Sequence, residues 1–209
     1  GRRTPPALWT PTAGCGTRWA PPDPVDPDVV WGGCYAGVVE RFDARTGMSR
    51  SVSVWPDRTM GAPAGEIKLR MNWTFPIAIS PHDHNTVYVG SQYVHMSPDG
   101  GESWSVISPD LTTNDKTKQG IPPGIYPETQ DVPCTLIYIE ESPIEPGVIW
   151  TGSNDGTVSV TRDGGKTWSN VSAKIPVKEW GWIWSIAPSK HAFGTAYLTV
   201  DRHRAADTS

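Results

Sequence analysis

Glycine and proline each occur 21 times in the 209 residues, so 42 positions, about a fifth, interrupt regular backbone against roughly 12% in average usage, which excludes long helices. Hydrophobic residues make up 37%, with eleven Trp, too much for a disordered chain, yet the apolar runs, such as 148–150 and 182–184, fall far short of the roughly 20 residues that cross a bilayer. A formal net charge of −4 supplies no basic field for phosphates, which removes nucleic acid as a partner.

Read in order, the chain repeats itself. A first unit, about 19–57, runs through Ala20-Pro-Pro-Asp23, Val29-Val-Trp-Gly-Gly33 and Arg41-Phe-Asp-Ala-Arg-Thr-Gly47. The second, about 73–111, sets Phe75-Pro-Ile-Ala-Ile-Ser-Pro81, Thr86-Val-Tyr-Val-Gly-Ser91 and Met96-Ser-Pro-Asp-Gly-Gly-Glu-Ser-Trp104 in the same order. The third, about 134–174, repeats it as Leu136-Ile-Tyr-Ile-Glu-Glu-Ser-Pro143, Val148-Ile-Trp-Thr-Gly-Ser153 and Val160-Thr-Arg-Asp-Gly-Gly-Lys-Thr-Trp168. A fourth, 182–209, begins with Ile183-Trp-Ser-Ile-Ala-Pro188 and Ala196-Tyr-Leu-Thr199 and is incomplete.

Each unit reads as short strands separated by a Pro/Asp turn, a Gly-Ser turn and a Gly-Gly turn, the last strand covering 105–108 or 169–172. Four strands per unit make a blade. The fold expected is therefore all-β: a β-propeller or propeller segment of about three and a half four-stranded blades, one segment over 1–209. Three and a half blades close no ring, so the chain is expected to be a fragment of a longer protein, to associate as a homo-oligomer, or to curl differently. The apolar stretches 29–31 and 183–186 are expected to be covered by another copy, or else to leave the isolated chain aggregation-prone.

The excess length sits in two connectors, 55–73 and 110–134, which join the last strand of one blade to the first of the next. In a propeller that connection shares a rim with the turn between second and third strands, so both connectors and the turns 90–93 and 153–156 form the candidate ligand face. On it stand the carboxyl candidates Asp155, Glu128, Asp131 and Glu66, of which glycoside hydrolysis needs a pair about 5 to 9.5 Å apart. The candidate ligand-binding residues are Trp73, Tyr93, Asn154 and Trp182. Trp55 and Trp180 flank the connectors in the same way, and flat aromatic faces there suit sugar rings. Glu140 and Glu141 lead to the opposite rim.

The turns Ser97-Pro-Asp-Gly-Gly-Glu-Ser-Trp104 and Thr161-Arg-Asp-Gly-Gly-Lys-Thr-Trp168 both fit S/T-x-D-x-G-x-S/T-W. Ser97, Asp99, Gly101 and Trp104, with Thr161, Asp163, Gly165 and Trp168, are read as structural. The carboxylate accepts backbone N–H groups, glycine supplies positive φ, and the indole packs between strands. These turns resemble the Asp-box, sialidase-type repeats of β-propellers, with Asp43 resembling a third copy that lacks the Trp. Together with Trp73-Thr-Phe-Pro-Ile77, Ser80-Pro-His-Asp83 and Ser105-Val-Ile-Ser-Pro-Asp-Leu111, they make residues 20–203 resemble the sortilin-like, Asp-box propeller proteins often labelled glycosyl hydrolases. The resemblance implies a secreted or periplasmic protein of six or more blades that binds carbohydrate or extended peptide.

Sialidase chemistry would need an arginine cluster, and Arg58 and Arg70 do not make one. His82-Asp-His84 lies in a Pro/Asp turn and reads as a turn rather than a metal site, and neither metal nor cofactor is expected. Of the three cysteines, Cys15, Cys34 and Cys134, no two have C-x-x-C spacing, and Cys15 with Cys34 is the favoured single bridge. The functional expectation is a saccharide-directed propeller protein, glycoside-hydrolase-like, the alternative being a non-catalytic, sortilin-like glycan- or peptide-binding module.

Overall fold

The structure is a computed structural model that describes residues 13–14, 20–56, 61–120, 132–175 and 181–202. Apart from three short 3-10 turns, the regular elements among the described residues are all strands, in four antiparallel sheets. The first sheet holds β1 (Val29–Cys34), β2 (Val38–Asp43) and β3 (Met48–Ser51). The second holds β4 (Ile77–Ile79), β5 (Val87–Gly90), β6 (Val94–Ser97) and β7 (Ser105–Val106). The third holds β8 (Leu136–Glu141), β9 (Ile149–Ser153), β10 (Val158–Thr161) and β11 (Ser169–Asn170). The fourth pairs β12 (Trp182–Pro188) with β13 (Ala196–Asp201), and in every sheet neighbours in space are neighbours in sequence. The chain is all-β, a partial β-propeller.

The repeat is carried by hydrogen bonds as well as by residue types. The turn after the first strand closes with Ser80 N–H on the Thr86 carbonyl, Ser142 on Val148 and Ser189 on Thr195, at 2.9, 2.8 and 2.8 Å. Asp23 N–H on the Val29 carbonyl, at 2.9 Å, is the same turn in the first sheet. The strand expected before it is reduced to one bridge, Pro22 to Val30, because Pro21 and Pro22 have no N–H to give a ladder. The outer strands repeat too. Val52, Ile107 and Val171 donate to the carbonyls of Val39, Val94 and Val158, while the hydroxyls of Ser53, Ser108 and Ser172 accept the N–H groups of the same three valines. These serines replace backbone pairing with a side-chain bond, so β7 and β11 are two residues long rather than the four expected.

Three apolar clusters lie between consecutive sheets. Trp31, Val39 and Val52 meet Phe75, Ile77, Val87 and Val89; Tyr88, Val94 and Leu111 meet Leu136, Ile139 and Ile149; Val158 with Trp150 meets Ile183, Ile186 and Leu198. Alternation in β5 sends Val87 and Val89 to one neighbour and Tyr88 to the other, so the strand is buried throughout. This corrects the expectation for 29–31 and 183–186. Trp31 is covered by the second sheet, and Ile183 and Ile186 by the third, within one chain.

The two S/T-x-D-x-G-x-S/T-W turns have one geometry. Ser97 Oγ donates to Asp99 at 2.8 Å and accepts Gly101 N–H at 2.7 Å, while the Asp99 carboxylate takes both the N–H and the hydroxyl of Ser103, at 2.9 and 2.6 Å. Thr161, Asp163, Gly165 and Thr167 repeat these bonds at 2.8, 2.9, 2.9 and 2.6 Å. The hydroxyl and N–H groups of Ser103 and Thr167 hold both carboxyls down at a pKa of about 2. Each indole reaches one sheet back, Trp104 Nε1 to the Val52 carbonyl and Trp168 Nε1 to the Ile107 carbonyl, at 2.9 and 2.8 Å. Gly165 has φ +95°, and a Cβ there would stand 2.7 Å from the Ile107 oxygen. The first sheet departs from this pattern. Register places Phe42 where Ser97 stands, so the hydroxyl is missing, and Asp43 instead anchors a shorter turn through Arg45 N–H and guanidinium.

On the rim with the 80–86 turn, His82 Nε2 lies 2.8 Å from the Ser142 carbonyl and His84 Nδ1 3.1 Å from the Asp23 carboxylate, so both imidazoles tie neighbouring blades. Among the described residues no cluster of three or more His, Cys, Asp or Glu could hold a metal ion. Cys34 is disulfide-bonded, Cys134 is free and buried, and Cys15 lies outside the described residues.

Candidate functional site

Antiparallel order puts the β5–β6 turn, the β9–β10 turn and both connectors on one rim, and there the connectors interlock. Arg70, buried in the first connector, donates through Nε to the Cys134 carbonyl at 3.0 Å and through Nη2 to Asp110 at 2.6 Å and Thr112 at 3.3 Å. Its own N–H donates to Gln92 in the β5–β6 turn, and Gln92 donates in turn to the Lys68 carbonyl. Arg70 therefore joins both connectors to the second and third blades, through its backbone N–H and its guanidinium respectively.

Asp155 sits in the β9–β10 turn as expected, but it is buried and its oxygens are engaged. One accepts the hydroxyls of Ser153 and Thr157, the other the N–H and hydroxyl of Thr113, both at 2.8 Å. Asn154 is buried beside it, accepting from Thr135 N–H at 3.0 Å and donating to the Val132 carbonyl at 2.8 Å. Both side chains clamp the second connector. Glu66 is exposed in the first connector; Glu128, Asp131, Arg58 and Trp180 lie outside the described residues.

The aromatic candidates fall into pairs on different blades. Trp73 is 47% exposed, with its ring centroid 4.0 Å from that of Tyr35 in the β1–β2 turn. Its backbone N–H donates to Asn72 Oδ1 at 2.6 Å, and the fully buried Asn72 donates to Thr135. The Trp73 backbone is thus held from behind, while its exposed indole rests on Tyr35. Trp55 carries the Lys68 ammonium 3.3 Å above its ring. Trp182 lies beside Trp184, with centroids 6.1 Å apart, at the start of β12. Tyr93 meets His95 edge-on, and His95 is buried with Nε2 2.8 Å from Ser91 Oγ; burial pushes its imidazole down to a pKa of about 4, so it is neutral at pH 7.

The described rim offers flat aromatic surface and neutral hydrogen-bonding groups. Of its described carboxylates, Asp110 is paired with Arg70, Asp155 is saturated, and Glu66 is exposed. Sequence reasoning missed Arg70 as an organiser, along with Asn72, Gln92 and Thr113. The one available signal was the polar pair Arg70 and Asn72 around the apolar Met71, an arrangement equally common on a solvated loop.

Among solved structures, the chain is similar to the GH74 xyloglucanase from Xanthomonas campestris, 18% identical, covering 85% of this chain and 26% of that one with a TM-score of 0.55. It is also similar to an auxiliary nutrient binding protein from Bacteroides thetaiotaomicron, 12% identical, covering 88% of this chain and 36% of that one, TM-score 0.53. Both are β-propeller proteins, and at these identities the likeness is one of fold. The chain spans well under half the length of either. No protein-family model matches it, and no curated protein does. No helix of the described residues is long and apolar enough to cross a membrane.

Proposed function

We propose that this chain is a saccharide-directed propeller segment, glycoside-hydrolase-like in architecture, that holds carbohydrate on the connector rim. The observation that carries the reading is Trp73, an indole about half exposed that packs against the Tyr35 ring, on a backbone tied to the buried Asn72. A rigid aromatic face pays little ordering entropy on binding and matches the C–H face of a pyranose. The paired turns favour an Asp-box, sortilin-like kinship, and the fold neighbours include a xyloglucanase and a nutrient binding protein. Disulfide-bonded Cys34 suits an extracytoplasmic, secreted or periplasmic setting.

A non-catalytic recognition module is the second reading, and the saturation of Asp155 favours it over turnover at that residue. Hydrolysis would fall to Glu66, Glu128 or Asp131. The test is a panel of soluble polysaccharides, xyloglucan included, assayed for binding and for reducing-sugar release. Trp73→Ala should weaken binding by about 1 to 3 kcal/mol with an unchanged melting temperature. Release of reducing ends that Glu66→Ala, Glu128→Ala or Asp131→Ala abolishes selects the hydrolase. Binding without release selects the module, and no binding to any glycan rejects the saccharide-directed reading and leaves the module with extended peptide as its ligand.

A further inference from the structure

From Lys68 to Trp73 the first connector is pinned along its length. Gln92 donates to the Lys68 carbonyl and accepts Arg70 N–H, the Arg70 side chain reaches Cys134 and Asp110, and Asn72 holds both Thr135 and the Trp73 N–H. Leu69 and Met71 pack into the cluster between the first two sheets, and Arg70 and Asn72 are buried. Only the two ends of this stretch, Lys68 and Trp73, stand exposed. Each of them is backed by an aromatic ring: Trp73 rests on Tyr35, and the Lys68 ammonium is seated 3.3 Å above the centre of Trp55.

A lysine loose in solvent pays rotamer entropy to grip an anion, whereas one already seated on an indole has given up much of that freedom beforehand. Among the described residues no carboxylate lies within ion-pair distance of this ammonium, the exposed Glu66 two residues away included. The seat also takes one face of Trp55 from any sugar, so that this ring acts through the lysine. Lys68 and Trp73 are close enough to be used together, because the chain between them spans at most about 18 Å even when extended, the reach of a short oligosaccharide. A ligand that fits both carries an apolar C–H face and, a few units along, a negative charge.

We propose that the connector rim takes an acidic polysaccharide, with Trp73 under the face of one sugar unit and the Lys68 ammonium paired with the anionic group of another. The inference rests on the reading of the rim as a saccharide site and adds the charge of the saccharide, which a uronate carboxylate or a sulfate ester supplies equally well. The net charge of −4 works against any polyanion, so a preference for the charged polymer has to come from a local cation. The test is the affinity of the full chain for two matched pairs: polygalacturonate with its methyl ester, and κ-carrageenan with its desulfated form. In at least one pair the charged member should bind about tenfold more tightly, and that pair names the source of the charge. Lys68→Met should abolish the preference and leave the uncharged member bound as before, and Trp55→Leu, which keeps the ammonium but removes its seat, should shrink it. Trp73→Ala should weaken both members together, and Lys166→Met, in an Asp-box turn on the opposite rim, should change nothing. Equal binding within both pairs overturns the inference and leaves the saccharide reading standing. So does a preference that survives Lys68→Met or Trp55→Leu, and so does binding of neutral glycans with none to these four polymers. No binding to any glycan, charged or neutral, removes the inference and the saccharide reading together.

Discussion

Trp168 donates its indole N–H to the Ile107 carbonyl across the boundary between the third and second sheets, and Trp104 does the same to Val52 one boundary earlier. Phenylalanine at either position keeps most of the apolar contact but leaves the accepting carbonyl without its donor. Trp168→Phe should therefore cost about 1 to 3 kcal/mol in urea unfolding, with glycan affinity unaltered in the folded protein.

Acid should act on the same turns. Asp99 and Asp163 titrate near 2 in the folded chain against an ordinary 3.8, so the unfolded chain takes up protons first as pH falls. Their contribution is complete above about pH 4 and is lost as pH drops through about 2. Asp163→Asn should start with a lower melting temperature at pH 7 and lose less of it between pH 4 and 2 than the parent.

His95 works in the same sense along a higher window. Its folded pKa of about 4 lies below the ordinary 6.5, so the unfolded chain binds the proton that the buried ring refuses. Stability should fall as pH drops from about 6.5 to 4, by up to roughly 3 kcal/mol. His95→Gln should flatten that slope, which chemical denaturation at several pH values would register.

Arg70→Met should remove the tie between the connectors, leaving the Asp110 carboxylate and the Cys134 carbonyl without their donor. The expected cost is about 3 to 5 kcal/mol, partly recovered when Asp110→Asn is added, because the uncompensated charge then disappears. Hydrogen exchange should speed up first over 110–120. A variant with parental exchange and melting would show that the rim does not depend on this guanidinium.

The strand order and both eight-residue turns were legible because each is written locally: apolar alternation, a Pro/Asp or Gly-Gly turn, a hydroxyl two residues before an aspartate. The first sheet was harder, since Phe42 and the Pro21-Pro22 pair change the hydrogen bonding while leaving the look of the repeat intact. The rim was legible in place and not in role. Asp155 looked like a solvated carboxylate until Thr113, 42 residues earlier, closed over it, and nothing in the neighbourhood of either residue announces the other. Asn154 and Arg70 were opaque for the same reason.

The indole bonds have a direction: the donor always belongs to the later sheet and the carbonyl to the earlier one. A chain leaving the ribosome N-terminus first therefore offers the second and third sheets an acceptor already fixed in space, and neither has to wait for one not yet synthesised. Assembly can advance as a ratchet, one sheet at a time. Heat should run the ratchet backwards, releasing β12 and β13 before the interior sheets that are gripped on both faces.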